Sequence, residues 1–237
     1  MTESTKPKRR IGRILLMVTG AFVAILIGLF AYASIALKPK VYDVVSIKEA
    51  TSYQDPALLE QAWALPVAAT YQQDALIYQP RVSWCGPTSV ANVQVSVGVD
   101  PQAAPDKVLE GTGYCRLGEC IPGLTLDELA EIAEQKLDGR EVTVLRDLSL
   151  DEFREHMRHA NDPDRRYIIN FLRGPLFREG GGHHSPIGGY LEQQDLVFVL
   201  DVNESYAPWL VETERLHAAI DTVDSSTDKK RGLLLIQ

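Results

Sequence analysis

Residues 14–37 carry no charged side chain, and this apolar stretch of 24 residues is long enough to cross a hydrocarbon core of roughly 30 Å as a helix. Beyond it the apolar positions fall into short periodic segments. A connector over 38–64 holds a brief helix near 55–63, and 76–84 reads as a polar loop interrupted by Pro80. Over 85–99 two patterns coexist. Val93, Val95, Val97 and Val99 alternate with Gln94, Ser96 and Gly98 as in a strand, while Val90, Val93 and Val97 share a helical stripe with Pro87 suited to its first turn and Gly98 to its stop. Periodicity leaves that segment open. Two capping boxes are clearer: Thr125-Leu126-Asp127-Glu128 opens a helix with Leu126, Leu129, Ala133 and Leu137 on one face, and Ser149-Leu150-Asp151-Glu152 opens another with Leu150, Phe153 and Met157. β-Branched or continuous apolar runs predict strands at 141–145, 167–172, 186–190, 196–201 and 233–236. Helices come first and strands cluster late, which predicts an α+β domain.

Charge sharpens the reading of the two ends. The first 37 residues hold five basic residues and one acid, and Lys38 and Lys40 follow. The heavier positive flank stays in the cytoplasm, which places the body on the far, periplasmic side. Ala31-Tyr32-Ala33 resembles a signal-peptidase site, so the stretch is read either as a retained single-pass anchor behind a basic tail (1–13) or as a signal removed on secretion. The remainder holds 19 basic against 31 acidic residues, a net charge of −12 that argues against nucleic acid. Its 200 residues are enough for one proper core.

Three cysteines occur: Cys85, Cys115 and Cys120. The last two flank a bend at Gly118 and are close enough to pair, leaving Cys85 as an odd thiol in an exported body, which asks for a reason. If 85–99 is helical, Cys85 heads it, and unpaired N–H groups with the positive end of the helix dipole favour the thiolate. A thiolate nucleophile needs a base. Of five histidines, His156 and His159 fit a solvated helix face and His217 a structural position. His183 and His184 follow a glycine run directly before a strand, where functional side chains often sit. A hairpin centred near residue 192 or 193 brings His183 opposite residue 201 or 203, so that His183 and Asp201 share a face. A carboxylate there can fix the imidazole tautomer. No metal-ligand set is read.

At these residues the sequence resembles the catalytic domain of phytochelatin synthase. The matching stretches are Gln79 with Trp84-Cys85-Gly86, the run from Gly182 through His183-His184-Ser185-Pro186-Ile187-Gly188-Gly189-Tyr190, Val199-Leu200-Asp201-Val202, and 224–232 with its terminal strand. They lie within 65–237. The resemblance implies a papain-like fold, a nucleophile-bearing helix packed on an antiparallel sheet. It implies a Cys85–His183–Asp201 triad, with Gln79 as oxyanion donor and Asp224, Arg231, Asn170 and Gly182 around the γ-glutamyl end of glutathione. The implied reaction cleaves the Cys–Gly bond through a Cys85 thioester, passing γ-glutamylcysteine to water or to a second glutathione. No cofactor is implied for that step; cadmium or zinc enters as an activator or as the metal–glutathione substrate. A homodimer is compatible with this reading. The turn at 203–209 is shorter than the family's by about one residue, and the chain is similar to the short bacterial members, in which hydrolysis dominates. Two other readings stay open: a papain-like peptidase for small-residue peptides, and a non-catalytic exported thiol or metal-binding protein.

Overall fold

The computed structural model describes residues 7–36, 40–71, 73–115, 120 and 123–237, with side chains described at 14, 16–32 and from 40 onward within those ranges. The chain divides into two units, Met1–Lys40 and Val41–Gln237. In the first, helix α1 (Pro7–Ala36) exposes apolar side chains such as Leu16, Phe22 and Phe30. The expected span 14–37 includes residues 15 and 33–37, whose side chains lie outside the described residues. Among the described residues no helix is long and apolar enough to cross a membrane, so the fold lends the anchor no support.

The second unit is organised by a six-stranded sheet in the order β1-β8-β2-β3-β4-β5, every neighbouring pair antiparallel. The strands are β1 (Val142–Leu145), β2 (Arg166–Leu172), β3 (Gly182–Leu191), β4 (Leu196–Val199), β5 (Trp209–Glu212) and β8 (Gly232–Ile236); β6 (Val223–Asp224) and β7 (Lys229–Lys230) form a separate hairpin. Both faces are covered. On one, α3 (Cys85–Ser96) and α5 (Leu126–Lys136) set Val90, Val93, Leu129 and Ile132 against Ile168, Phe198, Leu200 and Leu234. On the other, α6 (Leu150–Arg158) and α8 (Thr213–Ile220) set Phe153, Met157, Leu216 and Ile220 against Tyr167, Ile169, Val197 and Val199. The alternation of apolar residues along β2 serves the two layers in turn.

Both predicted capping boxes are made, by Thr125 with Glu128 and Ser149 with Glu152. Asp55 caps α2 (Pro56–Trp63), and a short helix α4 (Pro105–Leu109) follows α3. The expected connector is part of the body from residue 41: Ile47, Tyr53 and Ala62 are buried, and Trp63 packs edge-on to Phe198. The ambiguous segment is a helix. It shows no clean stripe because 11 of its 12 residues are buried, polar members among them. Asn92 exchanges hydrogen bonds with the Ile77 main chain, and Gln94 donates to the Lys136 carbonyl.

Strand β3 begins four residues earlier than predicted, at Gly182, because Gly182 and His183 pair with Leu172 and Phe171 of β2. Both histidines therefore lie within a central strand. The expected hairpin registers contained no bulge, whereas the observed one does. Near the turn Tyr190 pairs with Val197 and Gly189 with Phe198; beyond Gly188 the register steps by one, and Ile187 pairs with Val199. Paired residues share a face, so the turn-end register continued unchanged would put His184 on the face of Asp201. The bulge puts His183 there instead. It depends on close packing: a Cβ at Gly188 would lie 2.7 Å from Phe198 Cδ1 and 3.1 Å from two atoms of Leu200. Gly188→Ala is therefore expected to cost roughly 1–3 kcal/mol and to lower the denaturation midpoint; a midpoint equal to the parent's would show that the bulge tolerates a side chain.

Candidate active site

Cys85 is the first residue of α3, with Trp84 at the cap position. Asn92, about two turns further along the helix, ties the 76–84 loop to it, and the Gln79 N–H donates to the Val202 carbonyl at 2.8 Å. The thiol is buried and unpaired. Burial pushes its pKa up, but the charge and hydrogen bond of the His183 ring, with the main-chain N–H groups of His184 and Gly86, outweigh burial and bring it below the ordinary thiol value.

His183 Nε2 lies 3.0 Å from Asp201 Oδ1. That contact leaves the other ring nitrogen for the sulfur. Burial is the largest influence and lowers the imidazole pKa, and Arg173 lowers it further; the charge and hydrogen bond of Asp201 together with Cys85 outweigh them, so the balance is upward. Asp201 is fully buried. Burial pushes its carboxyl up, yet His183, Arg173 and Trp209 hold it at about 2. Besides His183 it accepts from Arg173 Nη2 at 2.9 Å on each oxygen, from Trp209 Nε1 at 2.9 Å and from the Asn203 N–H at 2.9 Å.

The sulfur and the imidazole open on a cavity of about 480 Å³. One end is polar. Arg231 Nη1 donates to Asp224 Oδ2 at 2.9 Å and to Asn170 Oδ1 at 3.1 Å, and its Nε is buried without a partner. A Cβ at Gly182 would stand 2.5 Å from that Nη1, so only glycine lets the guanidinium lie against β3. The four residues expected around the γ-glutamyl group thus converge. The lining also includes Arg173, Asn203, Tyr206, Val82 and Gln79. Gln79 is in place, but its amide nitrogen donates to the Arg81 and Val82 carbonyls at 3.0 Å each while its Oε1 is buried and unpartnered. Its donor is thus engaged within its own loop in this state.

His184, a neighbour of the triad imidazole, has a separate job. Its Nε2 meets the Leu124 carbonyl at 2.9 Å and its ring faces Asn170 Nδ2. The remaining histidines have structural partners: His156 with the Tyr167 hydroxyl, His159 with Glu155, and His217 with the Leu148 carbonyl. Cys115 and Cys120 are joined by a disulfide. Among the described residues no cluster of His, Cys, Asp and Glu could hold a metal ion.

The sequence profile of phytochelatin synthase matches residues 45–233. This chain belongs to the phytochelatin synthase family. Relatives include glutathione gamma-glutamylcysteinyltransferase 2 of Arabidopsis thaliana, 29% identical over 169 residues covering 67% of this chain and 37% of the relative. The glutathione gamma-glutamylcysteinyltransferase of Schizosaccharomyces pombe is 27% identical over 175 residues, 68% of this chain and 41% of that protein. The chain thus matches about two fifths or less of the length of these relatives. Among solved structures, the peptidase domain of Streptococcus ComA aligns over 68% of this chain and 94% of its own, at 20% identity and a TM-score of 0.45. A double glycine motif protease from an AMS/PCAT transporter covers 68% and 87%, at 14% identity and a TM-score of 0.45.

In this phytochelatin synthase homologue, pattern reading did not find Arg173, Trp209 or the Leu124–His184 contact. The signal for Arg173 was present in outline, a lone cation closing the apolar run 167–172. His184 has a consequence for stability. Burial lowers its pKa from 6.5 to about 4. The folded protein therefore refuses a proton that the unfolded chain accepts below pH 6.5, so stability is full above that value and falls as pH drops toward 4. The accumulated loss is roughly 3 kcal/mol. Urea midpoints measured between about pH 7 and 4 are expected to fall more steeply for the parent than for His184→Phe; parallel curves would contradict the assignment.

Proposed function

We propose that the chain cleaves the Cys–Gly bond of glutathione through an acyl-enzyme on Cys85. The observation that carries this reading is the meeting of a polarised thiol, an imidazole and a buried carboxylate at the wall of a cavity whose far end holds Arg231, Asp224 and Asn170. Arg231 suits the carboxylate and Asp224 the ammonium of a γ-glutamyl group. With that end seated, the scissile carbonyl faces Cys85 and the glycine extends toward Tyr206.

The Cys85 thiolate adds to the carbonyl carbon, and the oxygen takes the charge. The Cys85 N–H and the Gln79 amide, once released from the Arg81 and Val82 carbonyls, are the proposed donors to it. His183 gives its proton to the glycine nitrogen, the C–N bond breaks and a thioester remains. His183 then takes a proton from water or from the α-amine of a second glutathione, whose attack returns the thiolate. Both acceptors use the same acyl-enzyme, and hydrolysis leads wherever glutathione is dilute. A heavy-metal ion enters this scheme as the thiolate complex of the substrate. The charge-free stretch 14–37 between basic flanks supports a reading as anchor or signal, with the body outside the cytoplasm; recovery of the full chain in a soluble cytoplasmic fraction would refute that reading.

Mass spectrometry of the protein mixed with glutathione is expected to show a γ-glutamylcysteinyl adduct on Cys85 and free glycine, both lost in Cys85→Ala. Glycine release by that variant at the parent rate would refute the reading. For Gln79→Ala, kcat is expected to fall by roughly 10²-fold or more with a smaller change in KM; an unchanged kcat would remove Gln79 from the oxyanion site.

A further inference from the structure

Arg173 follows the last residue of β2 and precedes the short helix α7 (Gly174–Phe177). Its main chain is pinned: the N–H donates to the Gly181 carbonyl at 3.0 Å, and its carbonyl accepts from Leu176 and Phe177 at 2.9 and 2.8 Å. The residue is only 6% exposed. The guanidinium carbon lies 3.7 Å from the Tyr206 ring centroid, 5.4 Å from that of Phe177 and 5.5 Å from that of Phe171. From within this aromatic cage one nitrogen, Nη2, contacts both oxygens of Asp201, while Nη1 is buried with no partner.

A buried carboxylate that needed only satisfied lone pairs would already have His183, the Trp209 indole and the Asn203 N–H. Burying a fixed cation beside them is costly, and Nη1 is left without a partner, so the charge calls for a role beyond satisfying lone pairs. We propose that Arg173 is a positioning residue of the triad: it locks the Asp201 carboxylate with one oxygen toward His183, and its positive charge disposes the imidazolium to surrender its proton to the leaving amine. This rests on the triad chemistry proposed above. Two effects follow from one contact. The geometric effect fixes which oxygen His183 uses. The electrostatic effect offsets part of the carboxylate's pull, since an imidazolium held too firmly by Asp201 is a weak acid.

The charged and titratable groups around the imidazole are few. Cys85 faces it from α3 and Asp201 from beyond β4; Arg173 stands at the end of β2 and His184 is next along β3. Farther out, Tyr53 and Tyr78 flank Asp201, and burial raises both phenols, Tyr53 to about 12, so they are neutral in the working range. Arg173 alone among these opposes Asp201 with a charge that does not titrate there.

The test uses the full chain and two readouts. Glycine release against pH falls where His183 loses its proton. Alkylation of Cys85 by iodoacetamide rises a second time at the same point, as the paired thiolate becomes a free one, and this readout needs no glutathione. In Arg173→Met both landmarks are expected to move to higher pH by roughly one unit, with kcat lowered roughly tenfold and KM little changed. Arg173→Lys restores the landmarks toward the parent's. Trp209→Phe, which removes a neutral donor from the same carboxylate, leaves them in place whatever it does to stability. Should Arg173→Met fail to fold, Arg173→Gln keeps a hydrogen bond to Asp201 without the charge and is expected to show the same displacement. Landmarks that coincide with the parent's in the neutral variants, or an equal displacement in Trp209→Phe, would overturn the proposal. Absence of glycine release from the parent would instead strike the proposed substrate and leave the alkylation result standing.

Discussion

A carboxylate without access to water has to be solvated by the protein around it, and Asp201 is such a group. Losing a partner from a buried ion pair typically costs about 3–5 kcal/mol, a large part of a domain's net stability. The architecture near the site can be understood as the arrangement that avoids this. The bulge at Gly188 turns His183 to the right face, β5 delivers the Trp209 indole, the end of β2 delivers Arg173, and the turn after Asp201 folds the Asn203 N–H back onto its oxygen. Two segments distant in sequence, carrying His183 and Arg173, join two nearby ones on one side chain. Long-range order in this region and the acid–base chemistry of the site therefore have a common origin.

Charge balance follows from the same cluster. Asp201 faces His183 and Arg173, and Asp224 offsets Arg231. Opposite charges are thus paired locally around the cavity. The Arg231–Asp224 ion pair is already formed, and a ligand carboxylate and ammonium would exchange partners with it at little electrostatic cost. Arg173, caged by aromatic rings, lines the same cavity. In the proposed reaction, recognition of a zwitterionic acyl group and acidity toward the departing amine would therefore be built from different residues.

Much of this was legible from residue types and spacing, and the failures have physical causes. The capping boxes at Thr125 and Ser149 declare themselves because they are local hydrogen-bond patterns. Cys85, His183 and Asp201 were found because nucleophile, base and orienter are chemically distinctive. The helical state of 85–96 was hidden by burial on all sides, which erases the stripe that periodicity reads. Strand β5 was hidden by its length, four residues behind a turn. The hairpin register was approximated without its bulge, since a bulge depends on whether a side chain fits against Phe198 and Leu200, and no local pattern encodes that. Arg173 escaped because a lone arginine after a strand carries no motif, and its partner lies 28 residues away.

The consecutive histidines show how the bulge and the alternation of a strand combine. His183 pairs with Phe171 and His184 with Asn170, so the two rings project from opposite faces of β3. One ring is kept basic by a carboxylate on its side. The other is kept neutral by burial, with the Leu124 carbonyl at Nε2 and Asn170 beside the ring. A strand at the centre of the sheet is the place where such a pair can be supported from both layers at once. On an edge strand one ring would face solvent, its pKa would return toward the ordinary value, and the distinction between the imidazole beside Cys85 and the supporting one would be lost. The central position of β3 is thus a requirement of the chemistry as much as of the packing.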